Sequence, residues 1–162
     1  MKRTTTIIVL TISILLVGLY TVTSTYSVII EVLEKDGIAE IVNEINIRDV
    51  LTNDDGSFND TYYEIKNELN ITDEEADILL DSKPLNDALQ TVLKSIVEYK
   101  VHDNIDAKLS DKAIYNLISE AVLNTNNISD DLKSRLINKA SIYRDDVQNY
   151  IYDIEVSVLG VS

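Results

Sequence analysis

The sequence predicts an all-α protein: an N-terminal transmembrane helix followed by a small antiparallel helical bundle. Three observations lead there. Residues 4–30 carry no charge, and as a helix they would extend roughly 40 Å, more than the apolar thickness of a bilayer. Beyond them, apolar residues recur three and four apart in several segments separated by short polar clusters, the period of helices that each bury one face. One Pro, four Gly and no Cys leave little turn chemistry for a many-stranded sheet and no disulfide to brace one, so packing must hold the fold. The chain of 162 residues thus divides into a short tail and signal anchor at 1–30 and one acidic helical domain at 31–162.

The opening MKRTTTIIVLTISILLVGLYTV is read as an anchor because its apolar run exceeds the 7–15 residues usual in a leader and no A-x-A-like cleavage site follows. Cleavage near Thr23-Ser24-Thr25, giving a secreted product, is the alternative. Lys2 and Arg3 precede the run, while Glu31, Glu34, Asp36, Glu40 and Glu44 follow it against Lys35 alone. The positive-inside rule then puts the N-terminus in the cytoplasm and the acidic body outside a single-pass cell-membrane protein. Tyr20 and Tyr26 stand where an interfacial aromatic belt would hold the outer end of the span.

After the span, Val28, Val32, Leu33, Ile41, Val42 and Ile45 keep near-helical spacing, which predicts a long first helix that continues outward or restarts at Gly37. LTNDDGSFND gathers turn formers and reads as a loop. Asp60 is expected to cap a helix running to Leu69. Thr72 with Glu75 has the spacing of a capping box, in which each side chain satisfies a free backbone N–H, and opens a short helix to about Leu80. Ser82-Lys83-Pro84 starts the next, since proline's missing N–H costs nothing in a first turn. Leu85, Leu89, Val92, Leu93, Ile96 and Tyr99 form its stripe. Ser110 caps a helix carrying Ile114, Leu117, Ile118, Ala121 and Val122, which ends within 124–127. Ser129 caps the last, its first turn holding Asp130 and Asp131 where the helix dipole favours negative charge. Leu132, Leu136, Ala140, Tyr143, Val147, Tyr150, Ile154 and Val158 extend that stripe almost to the end of the sequence.

The formal charge of -14 repels phosphate backbones, so no nucleic-acid partner is expected. The same charge opposes docking on anionic lipid, which leaves the apolar segment as the contact with the bilayer. Without cysteine there is no thiolate nucleophile or thiolate zinc site. NDDGSFND resembles a calcium turn, with Asn53, Asp55, Ser57 and Asn59 supplying hard oxygens around Gly56. Setting Gly56 at position six puts Leu51 at one and Tyr62 at twelve, where carboxylates are required. These four residues are therefore weak metal candidates, and a solvated turn is the plainer reading. His102, the single histidine, has Asp103 and Asp106 nearby in sequence, a pairing suited to a general base, although an exposed loop histidine is simpler. Asp73, Glu74 and Glu75 read as first-turn dipole complements. Tyr143, Tyr150 and Tyr152 are either interface anchors or core, with Tyr152 expected to face outward. The Asn-x-Ser/Thr triplets at Asn59, Asn70 and Asn127 are incidental to capping. No catalytic residue and no cofactor is assigned.

ITDEEADILLDSKPLNDALQTVLKSIVEYKV followed by LSDKAIYNLISEAV resembles the layout of uncharacterised membrane-anchored proteins of low-GC Gram-positive bacteria with an acidic all-helical extracytoplasmic domain. The likeness lies in layout and composition, and it implies a membrane address and a helical body without assigning functional residues. Many such proteins have a second span near the C-terminus. IEVSVLGVS is too short for one, so the pattern departs here or the sequence is truncated. The expected function is a protein-interaction or scaffold module with a protein partner. A cell-envelope enzyme or metal-dependent module, and a sensor subunit that needs a partner to carry its signal inward, are the alternatives.

Overall fold

The computed structural model describes residues 29–32, 46–142, 152 and 155–158. Residues 46–142 are all-helical, holding among the described residues five helices of eight residues or more: α1 Asp60–Leu69, α2 Asp73–Leu80, α3 Lys83–Val101, α4 Asp111–Leu123 and α5 Asp130–Ile142. A single turn, Ile47–Val50, precedes them, and a 3-10 turn, Ile105–Ala107, joins α3 to α4.

Capping chemistry sets these boundaries. Thr72 Oγ1 accepts the Glu75 N–H at 3.1 Å and Glu75 Oε1 accepts the Thr72 N–H at 3.0 Å, a complete capping box. Ser82, Ser110 and Ser129 accept the N–H groups of Leu85, Ala113 and Leu132 respectively. One expectation shifts by a residue: α1 is capped by Asn59, whose Oδ1 accepts the Tyr62 N–H at 3.0 Å, while Asp60 lies inside the first turn. Asn70 ends α1 in the left-handed conformation at φ 51°, which an Asn side chain tolerates better than most.

The core is built around α3. Leu89, Val92 and Ile96 are each 0% exposed, and Leu85, Ala88, Leu93 and Val97 are buried beside them. Ile114, Ile118, Ala121 and Val122 of α4 and Leu132, Leu136 and Ala140 of α5 complete one continuous cluster with the buried residues of α1 and α2. Each large aliphatic side chain so enclosed contributes about 1.5–3 kcal/mol of transfer free energy. Asn86 fastens the preceding turn to this body: its Oδ1 accepts the Ile47 N–H at 2.7 Å, and its Nδ2 donates to the carbonyls of Leu80 and Ser82.

Two expectations about the ends are corrected. Ile29–Val32 is a strand, β1, where a helix was expected to run outward from the span, and Glu155–Val158 is a strand, β2, where the last helix was expected to continue. They pair in parallel with Ile29 opposite Glu155 and Val32 opposite Val158. The misreading has a simple cause. Val28 and Val32, like Ile154 and Val158, are four apart, a spacing that satisfies helical and strand periods alike. EVSV alternates valine with polar residues, and β-branched side chains favour the extended chain once a partner strand takes its backbone hydrogen bonds.

Among the described residues no helix is long and apolar enough to cross a membrane. Residues 1–28, which carry most of the expected span, lie outside the described residues, as do Leu33, Gly37, Ile41, Val42, Ile45, Tyr143, Val147 and Tyr150. The last two positions of the uncharged run, Ile29 and Ile30, belong to β1.

Candidate functional site

The turn before α1 places the four metal candidates within one tight backbone reversal. Gly56, at φ +87°, makes the turn possible, and the Asn53 N–H donates to the Ser57 carbonyl at 2.7 Å. Thr52 and Phe58 form an antiparallel bridge behind it. Side-chain oxygens of Asp55, Ser57 and Asn59 are engaged internally. Asp55 Oδ1 accepts the Ser57 N–H at 2.9 Å and the Ser57 hydroxyl at 2.6 Å, and these two bonds hold its carboxyl below the usual carboxylate range. Asn53 Nδ2 donates to Ser57 Oγ at 3.0 Å, and Asn59 Oδ1 is the cap of α1. Among the described residues no group of three or more His, Asp or Glu side chains is placed to hold a metal ion.

His102 ends α3 on the surface, and among the described residues no hydrogen bond or ion pair joins it to Asp103 or Asp106. Glu75 belongs to the capping box, and Asp73 accepts a hydrogen bond from Lys66, which raises the lysine pKa. A gap among Leu51, Tyr62, Ile65, Leu69, Leu79 and Leu80 measures about 10 Å³, room for at most one water-sized sphere between apolar walls.

The most developed polar arrangement among the described residues forms around Tyr152. Tyr152, expected to face outward, is 4% exposed. Its hydroxyl accepts the Leu109 N–H at 2.7 Å and bonds Ser95 Oγ, while the Ser95 hydroxyl donates to the Ala107 carbonyl at 2.6 Å. A carbonyl only accepts and an amide N–H only donates, so the proton order is fixed: Leu109 N–H to Tyr152 Oη–H to Ser95 Oγ–H to Ala107 O. A chain with every member satisfied gains from mutual polarisation in a buried setting. The Tyr152 ring meets Tyr99 edge-on at 5.1 Å, and Lys108 Nζ stands 5.3 Å from the Tyr99 centroid and 5.4 Å from that of Tyr152. Both rings thus offer their negative faces to one ammonium. Ser95 was the available signal, a hydroxyl at a buried position on the otherwise apolar face of α3.

Two basic clusters join elements remote in sequence. Arg135 Nη1 donates to the Leu69 carbonyl at 2.8 Å, and Lys139 Nζ donates to the Glu68 carbonyl at 2.6 Å, so α5 supplies cations to the C-terminus of α1. Arg48 grips Asp81 through two bonds of 3.0 Å and reaches Asp77 at 3.3 Å; the Asp81 carboxylate chiefly raises the Arg48 pKa. What these groups do chemically is clamp segments together through directed hydrogen bonds and charge. Comparison with protein-family models, with curated proteins and with solved structures gives no match.

Proposed function

We infer that this chain is a membrane-anchored interaction or scaffold module. Residues 1–30 supply a short cytoplasmic tail and a lipid-spanning anchor whose outer end passes into β1 at Ile29, and the acidic helical body meets a protein partner outside, without catalysis. The observation that carries this reading is the order of charges: Lys2 and Arg3, then an uncharged stretch across 4–30, then an acidic body that outweighs those two cations to give the chain its net -14. Such a stretch is long enough to span, and the flanking asymmetry orients it.

The test is fractionation of cells expressing the tagged full-length protein, followed by affinity isolation from native membranes. Recovery in the carbonate-resistant membrane fraction with a stoichiometric protein partner is expected. Unprocessed protein in the soluble fraction would sink the anchor, and a partner-free monomer with hydrolase activity would replace the scaffold reading with an enzymatic one.

A further inference from the structure

The parallel pairing of β1 with β2 has a directional consequence. Both strands run the same way, with Ile29 beside Glu155, so the chain enters the pair from the uncharged run at the same end at which it arrives from Tyr152. β2 also packs beside α3. Tyr152, three residues before β2, is fastened to Ser95 on α3 and to the Leu109 N–H after the 3-10 turn. A two-stranded sheet is marginal by itself and depends on what it packs against. Here that support comes through Tyr152 and α3.

We propose that the C-terminal segment is a clasp. Tyr152 locks it to the helical body, and β2 holds β1, so the point where the uncharged run enters the domain is fixed against α3 and does not hang from a loose link. The device rests on the membrane-anchor reading for its purpose, which is to set the body's orientation relative to the bilayer and to transmit load between them. Its mechanics do not depend on that reading. Loss of the Tyr152 hydroxyl takes an acceptor from Leu109 and a donor from Ser95, which makes opening of the clasp easier, and β1 opens with it although the network itself lies on α3 and the turn.

The absence of cysteine permits a direct test on the detergent-purified full chain. In a parallel pair, neighbouring strands lie about 4.8 Å apart, within the Cα separation a disulfide spans. Ile30→Cys with Val156→Cys, which are Cα partners, is expected to oxidise to an intramolecular bridge, seen as faster migration of the monomer on a non-reducing gel. Ile30→Cys with Ser157→Cys, one residue out of register, is expected to bridge poorly. Hydrogen exchange then reads the coupling. In Tyr152→Phe, amides of β1 and β2 should exchange about tenfold faster, equivalent to about 1.4 kcal/mol, while those of α3 around Leu89 stay unchanged. Equal bridging by both pairs, a disulfide-linked dimer, or β1 exchange unaffected by Tyr152→Phe overturns the clasp. Should Tyr152→Phe unfold the helices, Ser95→Ala replaces it with the same expectation. A soluble protein that still bridges in register would remove the membrane anchor and leave the clasp standing.

Discussion

Ser82 and Thr125 repeat, at the other end of α3, the logic seen around Tyr152. The Thr125 hydroxyl donates to the Ala121 carbonyl at 2.8 Å, so the Ser82 hydroxyl must donate to Thr125 across 2.7 Å while accepting the Leu85 N–H. Both residues are buried. Thr125→Val keeps the shape but leaves the Ser82 proton without an acceptor, and urea unfolding followed by helical circular dichroism should show a loss of about 1–3 kcal/mol. Tyr62 gives a residue-scale response to pH. Burial, with the Asp73 charge adding to it, pushes its phenol above the ordinary 10.0, so the fold favours the neutral form. Its contribution is complete below pH 10.0 and is lost as pH rises through the folded value. The urea midpoint should therefore fall in that alkaline window, and fall less in Tyr62→Phe. Ser82 was legible as a cap from Ser-Lys-Pro, but its buried partner was not, because forty-three residues separate the two positions and nothing local links them.

Among the elements, α1 draws support from a distant helix. It is ten residues long, and its last carbonyls receive Arg135 and Lys139 from α5. Cations at a helix C-terminus complement both the unpaired carbonyls and the macrodipole. Arg135→Ala should cost about 1 kcal/mol in chemical unfolding, and hydrogen exchange should quicken in the last turn of α1 before the N-terminal turns of α3. Unchanged exchange there would show that the αL cap at Asn70 suffices. All five helices and most of their caps were readable, since Thr72, Ser82, Ser110 and Ser129 each act on an N–H three residues away. The ends of the chain misled for the opposite reason. A strand is decided by its partner, and β1 and β2 find one another across the whole helical body.

For the molecule as a whole, the net charge of -14 means that like-charge repulsion opposes folding. Raising ionic strength from about 0.01 M to about 0.15 M shortens the screening length from roughly 30 Å to roughly 8 Å. The melting temperature should rise by about 2–4 °C, the shift that ~1 kcal/mol produces at this size. A fall would mean that surface pairs such as Arg48 with Asp81 and Lys139 with Glu68 outweigh the repulsion. The sequence by itself determined the helical body from 46 to 142, most of its caps, the apolar stripe of α3 and the sign of its surface, because each follows from residues a turn apart or from composition. Only the tertiary structure decided that Tyr152 lies inside, that Ser95 and Thr125 carry proton-ordered chains, and that the two ends meet as parallel strands. Those outcomes depend on groups brought together from distant positions, where burial and hydrogen-bond satisfaction, rather than local period, choose the conformation.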